Sequence, residues 1–304
     1  MMIQMMKELA DLGLLQRNKK CIKEAVFNTP LIRLKRVEKQ YNLNSKFYIK
    51  LESFNPGGSV KDRPAYFILK DILTKNKNPY LVCASSGNFG ISLAYYAKLY
   101  NLKIIVILPS SYSKERENIL KSLNAHVIRG DFSLNEGNDI ARNIAFRIDN
   151  GVFINQFDNK LNLISHYISL APEIYSKIKP DYIICGIGSG GTIMGISKYF
   201  KDHKSKTQII GVLPNQNPHK IEGIGAGFKS DLINDSYIDE IIKVNYDEAL
   251  FMAKKLKELE NIGVGLSTGA SLFSSILIGK NIKKKRKKFL IISADDNRKY
   301  KELA

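Results

Sequence analysis

A chain of 304 residues with 44% hydrophobic and 25% charged residues has the balance of a soluble globular protein of one large or two modest domains. No apolar run approaches a membrane span, and neither the four scattered histidines nor the three cysteines have metal-ligand spacing, so a membrane protein and a zinc enzyme are excluded, and unpaired thiols suit a reducing cytoplasm. The formal net charge of +18 makes a basic nucleic-acid-binding protein the rival from another class, but the lysines are dispersed beside Asn and Ile, without interleaved aromatics or a nucleic-acid motif.

In chain order, MMIQMMKELADLGLLQRNKK reads as a short amphipathic helix, because Lys7, Glu8 and Asp11 interrupt it and no small-residue cleavage site follows. KFYIKLE (46–52) reads as a strand before a helix over 63–76. YLVCA (80–84) precedes a helix over 90–100, and KIIVILP (103–109) precedes one over 114–124. HVIRG leads to a helix over 134–149, and VFINQ (152–156) to one over 161–177. YIICG precedes TIMGISKYFK, and QIIGVLP (208–214) runs into a Gly-rich loop. A helix over 247–261, the STGASLFSSILIGK segment and FLIIS close the series, with the basic run Lys283–Lys288 read as a solvated loop before the last strand. Such alternation predicts parallel sheets with helices on both faces, and a break near VFINQFDN with a ligand cleft between two βα series.

GIGSGGTIMG (186–195) satisfies G-x-G-x-x-G, yet the next strand ends in Leu213, Pro214 and Asn215, without the acid that would hold a ribose. No Lys-Ser or Lys-Thr closes the glycine run, which excludes a Walker loop. What remains is a turn whose backbone N–H groups and following helix can cradle one phosphate, with Ser189 and Thr192 adding hydroxyls. Three further turns are expected at the same cleft: NPGGSVKDR (55–63), CASSGNFG (83–90) as a strand-to-helix turn, and GVGLSTGAS (263–271) as another.

These motifs, in this order, resemble the cysteine synthase and cystathionine β-synthase family of fold-type-II pyridoxal-phosphate enzymes, from NTPLIRL (28–34) to about residue 300. The resemblance implies two open twisted α/β domains with mainly parallel sheets and the cofactor in the cleft between them. The smaller would span 42–155, and the larger 1–41 with 156–304. It further implies that Lys61 carries pyridoxal 5'-phosphate as a Schiff base and moves the Cα proton. Asn88 would meet the cofactor's phenolic oxygen, Gly188, Ser189, Gly190, Gly191 and Thr192 its phosphate, and Ser267 its pyridine nitrogen. Ser85, Ser86 and Gln156 would bind the substrate carboxylate, with Gly225 and Ala226 in a mobile wall near the amino group. The implied reaction is loss of a β-substituent from an activated serine or cysteine followed by addition of a nucleophile. Small amino-acid substrates, a homodimer, and no metal, nucleic-acid or membrane partner are the corresponding expectations.

Departures bear on the substrate. Phe89 replaces the second threonine of the family's TSGNTG loop, so the ring either narrows the cleft or packs in the core. INQFDNKLNLISHY and Arg63-Pro64-Ala65 resemble the branch making N-(2-amino-2-carboxyethyl)-glutamate from O-phosphoserine for diaminopropionate, whereas HKIEGIGAGF resembles ordinary cysteine synthase. Cysteine synthase-like chemistry, from O-acetylserine or O-phosphoserine plus sulfide, is therefore the first expectation. The diaminopropionate-precursor branch is the second, and cysteine desulfhydrase or lanthionine synthase activity stays open.

Overall fold

The structure, a computed structural model, describes residues 27–85, 87–282 and 286–303. The N-terminal helix expected over 1–20, and Ser86, lie outside the described residues.

Ten described strands form two sheets, one six-stranded in the order β1-β2-β10-β7-β8-β9 and one four-stranded in the order β5-β4-β3-β6. The smaller sheet is built from β3 (Tyr80–Ala84), β4 (Ile104–Pro109), β5 (His126–Gly130) and β6 (Gly151–Ile154), all paired in parallel. The larger contains β1 (Leu31–Arg33), β2 (Lys46–Leu51), β7 (Tyr182–Gly186), β8 (Gln208–Pro214), β9 (Glu240–Val244) and β10 (Lys288–Ser293). Only β1 runs antiparallel, against β2. Central strands such as IIVILP are buried residue after residue, as a parallel sheet covered on both faces demands.

The strand reading and the sheet assignment part company at β2. The sequence marks it as a strand and the expected boundary at residue 42 puts it in the smaller unit, but it pairs in parallel with β10 of the larger sheet. A run of apolar residues states that a strand will form, not which partner it will find. The strand β9 was also not foreseen, since EIIKV is short and mostly exposed.

Helices α1 (Lys35–Gln40), α2 (Asp62–Lys75), α3 (Asn88–Leu99), α4 (Lys114–Ser122) and α5 (Leu134–Arg147) precede β6. The helix expected over 161–177 is three pieces: α6 (Lys160–Ser165), a π turn at His166–Leu170 and α7 (Ala171–Lys177). Then come α8 (Gly191–Asp202), α9 (Tyr246–Glu260) and α10 (Leu266–Asn281). Capping boxes start α5 at Ser133 with Glu136 and α9 at Asn245 with Glu248. Asparagine takes the role usually given to glycine at helix ends: Asn101, Asn124 and Asn261 follow α3, α4 and α9 with φ of 54°, 62° and 57°. Of the basic run, residues 283–285 lie outside the described residues; Lys287 pairs with Asp181 at 2.8 Å, and Lys288 already opens β10.

Both sheets reverse strand order once. In the smaller, β3, β4 and β5 follow one another outward and β6 returns to the other side of β3. In the larger, β7, β8 and β9 run outward and β10 returns beside β7. Crevices open at such switch points beyond the carboxyl ends of the strands, so the loops after β3, β6, β7 and β10 are the ones the topology sets around a ligand.

Behind these loops lies a buried ionic cluster. Arg63, on the first turn of α2, is wholly buried and meets Glu52 through Nε at 2.6 Å and Nη2 at 2.9 Å. Its Nη1 also meets Glu173 of α7 at 2.8 Å, and Lys50 of β2 meets the same carboxylate at 2.7 Å. Two cations and two carboxylates thus pin the start of α2 to the larger sheet and to α7.

Candidate active site

The loops converge as the topology requires. One cleft is lined by Lys61 from the turn before α2, Asn88 and Phe89 from the turn after β3, and Gln156 after β6. Gly188, Ser189, Gly190 and Thr192 after β7, Gly225 and Ala226 after β8, and Ser267 on α10 complete it.

Lys61 Nζ donates to Ser189 Oγ at 3.2 Å. Its side chain is open only toward the cleft, and crowding by protein atoms pushes its pKa down to about 8. Roughly a tenth of the amine is then neutral at pH 7, against about one part in three thousand for an ordinary lysine. The second hydrogen bond to Ser189 Oγ comes from Asn162 Nδ2 at 3.0 Å, and the same amide donates to the Gln156 carbonyl at 2.7 Å.

The glycine loop has a defined shape. Gly190 begins α8 in the left-handed region with φ of 83° and no side-chain cap. A Cβ on Gly188 would stand 2.5 Å from the Gly223 carbonyl oxygen. The N–H groups of the first helical turn have no intrahelical acceptor, so they and the helix dipole present positive potential to the cleft. The missing side chain of Gly191 lets Asn162 approach, since a Cβ there would lie 2.0 Å from Oδ1. Thr192 Oγ1 lies 3.2 Å from His166 Nε2, and burial, with the nearby Lys61 and Arg63 charges, lowers the His166 pKa well below 6.5 and keeps the ring neutral.

Ser85 is also turned away from the cleft. It is fully buried, and its hydroxyl accepts from the N–H of Gly87 at 3.1 Å and of Gly90 at 2.9 Å. It therefore shapes the turn and leaves the Asn88 and Phe89 N–H groups, in the first turn of α3, to face a ligand. GVGLSTGAS proves to be no strand-to-helix turn. It joins α9 to α10, and Ser267 and Thr268 already belong to the first turn of α10. Hydroxyl side chains there bond back to carbonyls four residues earlier, as Ser271 does to Ser267 at 2.9 Å, which lets the helix absorb them.

Several residues at the cleft were not anticipated. Tyr112 and Arg116 line it from the smaller sheet's side. Arg116 pairs with Glu222 from the loop after β8 and stands 5.1 Å over the Tyr300 ring. It fills the space where a Gly87 side chain would go, and Gly87 has φ of 142°. Cys185 also lines the cleft, but burial pushes its thiol up to about 12, which leaves it inert as a nucleophile. Among the described residues no cluster of His, Cys, Asp or Glu has the makings of a metal site, and no helix is long and apolar enough to cross a membrane.

The family model described as "Pyridoxal-phosphate dependent enzyme" matches residues 22–294. The chain belongs to that family. This pyridoxal-phosphate enzyme is 36% identical to a cysteine synthase of Buchnera aphidicola subsp. Schizaphis graminum, over 90% of this chain and 91% of that one. Among solved structures it is similar to a hydrogen sulfide-producing enzyme from Fusobacterium nucleatum, with a TM-score of 0.86, 29% identity and coverage of 90% of this chain and 97% of that one. It is also similar to an O-ureido-L-serine synthase, with a TM-score of 0.85, 26% identity and 92% coverage of both chains. Family and relatives make it a cofactor-dependent enzyme with β-replacement chemistry of the cysteine synthase kind.

The residues present fit that cofactor. A lysine with a depressed pKa, directed at an uncapped helix N-terminus whose glycines leave no room for side chains, is a donor set for an aldehyde bearing a phosphate.

Phe89 faces both ways: it lines the cleft, yet its ring is 1% exposed and packs in the smaller sheet's apolar core. The burial favours a packing role. Phe89→Thr is expected to cost about 3 kcal/mol of stability and to leave first-substrate affinity within about threefold, since its backbone N–H, free of an intrahelical acceptor in the first turn of α3, is kept. Thermal melting and substrate titration of the one variant check this. A large gain in affinity with unchanged melting would instead make the ring a specificity element.

Proposed function

We propose that the enzyme makes cysteine from an activated serine, O-acetylserine or O-phosphoserine, and sulfide. The observation that carries this reading is the Lys61 amine, 3.2 Å from Ser189 at the mouth of the glycine loop, in one cleft with Asn88, Gln156 and Ser267.

In this reading Lys61 holds the cofactor, and the N–H groups of Gly188, Ser189, Gly190, Gly191 and Thr192, with the Ser189 and Thr192 hydroxyls, hold its phosphate. Asn88 would donate to the phenolic oxygen, and Ser267 would offer the pyridine nitrogen a neutral hydroxyl rather than a carboxylate. The bound cofactor supplies the electron sink that permits loss of the Cα proton and then of the β-substituent. The Lys61 amine would take the proton from Cα and return it to the same carbon after the nucleophile adds. The substrate carboxylate lies on the Asn88 and Phe89 N–H groups and on Gln156, at the positive end of α3. Gly225 and Ala226 form the wall toward its amino group.

A homodimer in the cytoplasm, with small amino-acid substrates and no nucleic-acid or membrane partner, completes the reading. The unit boundary near residue 155 belongs to it as well, with entry into the smaller unit moved beyond β2.

The test is to supply the purified, cofactor-loaded enzyme with O-acetylserine, O-phosphoserine or cysteine, each with and without sulfide. Release of acetate or phosphate, with cysteine appearing only when sulfide is present, is the expected result. Sulfide release from cysteine, with no turnover of either activated serine, would move the enzyme to the desulfhydrase branch. Turnover of O-phosphoserine with glutamate but not with sulfide would move it to the diaminopropionate-precursor branch.

A further inference from the structure

The Asn88 side chain is held between two oppositely charged groups. Lys299 Nζ donates to Asn88 Oδ1 at 2.9 Å, and Asn88 Nδ2 donates to Asp295 Oδ2 at 2.7 Å. Both partners come from the segment after β10, and both are buried. An ammonium cannot donate to the NH2 end of an amide without a clash of hydrogens, and a carboxylate cannot accept from the oxygen end. The pair therefore forbids a flip of the amide. One Asn88 N–H is used on Asp295, and the other is left as a donor on the cleft wall that Asn88 forms.

Lys299 reaches further than this one contact. Its Nζ also donates at 2.9 Å to the carbonyl of Gly58, in the turn that carries Lys61. The groups around it are Asp295 and Asp296 on its own segment, Asp62 at the start of α2, and Arg116 on α4. Burial lowers its pKa, while the three carboxylates support the charge and Arg116 opposes it. A buried positive charge on the carbonyl side of an amide polarises it and strengthens the N–H donors at the other end.

We infer that Lys299 is a positioning residue for the cofactor's phenolic oxygen, acting through Asn88 by fixing the orientation and donor strength of its amide. The inference rests on the reading that Asn88 meets that oxygen. A stronger donor favours the ionised form of the oxygen it faces, so the charge on Lys299 governs the protonation of a group it does not touch. Nothing in the segment SADDNRKY announces this as a local motif; the two partners of the amide are 207 and 211 residues away from it.

The experiment follows the visible absorption band of the pyridoxal-phosphate-loaded enzyme across the neutral and alkaline range. Wild type, Lys299→Met, Lys299→Gln, Asn88→Ala and the Lys299→Met/Asn88→Ala double variant are compared, with cofactor affinity and melting temperature measured alongside. Both single Lys299 variants are expected to raise the midpoint of the band's titration by about one pH unit, and Lys299→Met to have no further effect once Asn88 is alanine. A midpoint unchanged in both Lys299 variants while Asn88→Ala shifts it overturns the inference and leaves the Asn88 contact standing. Lower melting or loss of cofactor in both Lys299 variants, with the Asn88→Ala enzyme still loaded, makes Lys299 a fastener of the fold and also overturns it. If Asn88→Ala changes neither midpoint nor cofactor affinity, the reading of Asn88 itself is what has failed.

Discussion

Lys61→Ala is expected to fold, to bind pyridoxal phosphate more weakly through the glycine loop alone, and to lose replacement activity by at least about a thousandfold. Among the described residues no other amine donates to Ser189, so on the proposed reading the variant has nothing to hold the cofactor covalently or to move the Cα proton. The cofactor-free protein offers a second readout. The unfolded lysine titrates near 10.5 and the folded one near 8. Between these values the unfolded state binds the extra proton, so wild-type stability rises as pH increases from about 8 to 10.5. Below the folded value the group contributes a constant penalty. Lys61→Ala is expected to flatten that rise, measured by denaturant unfolding of the cofactor-free proteins at several alkaline pH values. Turnover within tenfold of wild type would remove Lys61 from the chemistry. A pH dependence identical in the two proteins would show that the amine is not desolvated.

Arg63→Met is expected to be the most destabilising single change, at about 3–5 kcal/mol. Methionine has nearly the reach of the arginine stem, so the loss is electrostatic. Glu52, wholly buried, and Glu173 would share Lys50 as their only remaining cation in the cluster. The effect extends to the site, because Arg63 is two residues past Lys61. Cofactor loading should fall together with the melting temperature. Acid adds a sign. Burial raises the Glu173 pKa, but Arg63 and Lys50 outweigh it and hold the carboxyl down to about 2, against an ordinary 4.5. Its contribution is full above pH 4.5 and is lost as pH falls toward 2, so removing Arg63 should move the onset of acid unfolding upward. Circular dichroism during acid titration checks this. An Arg63→Met protein with wild-type melting and acid onset would mean that the cluster is hydrated and contributes nothing.

What could be read from the sequence follows from how far apart the interacting groups stand along the chain. The glycine loop, the Lys61 turn and the turn after β3 are local: glycine and small polar residues specify the backbone directly, and the strands before them give the direction. The parallel α/β architecture was legible for the same reason. Ser85 was legible as part of the turn but not in its direction, because whether its hydroxyl faces ligand or backbone depends on two N–H groups that pattern does not locate. Arg116, Asp295 and Lys299 carried no local signal at all. They reach the cleft through partners on other elements, and only the folded chain brings Arg116 to Glu222 or Lys299 to Asn88. The misplacement of β2 has this origin too, as its neighbour β10 is one of the last elements of the chain.

That pairing also orders events in time. The smaller sheet is drawn from one continuous stretch, residues 80–154, and its strands can pair as soon as they leave the ribosome. The strand that leads into the Lys61 turn has no such neighbour until residues 288–293 have been made, because β10 is what joins it to β7. During synthesis the antiparallel β1–β2 pair must therefore wait, with one edge of β2 unpaired, until β10 has been made. Catalytic competence is then a late-acquired property: on the proposed reading the lysine, the glycine loop and the Asn88 clamp come into register only once β10 is inserted, so chemistry and covalent retention of the cofactor wait for residues 288–299.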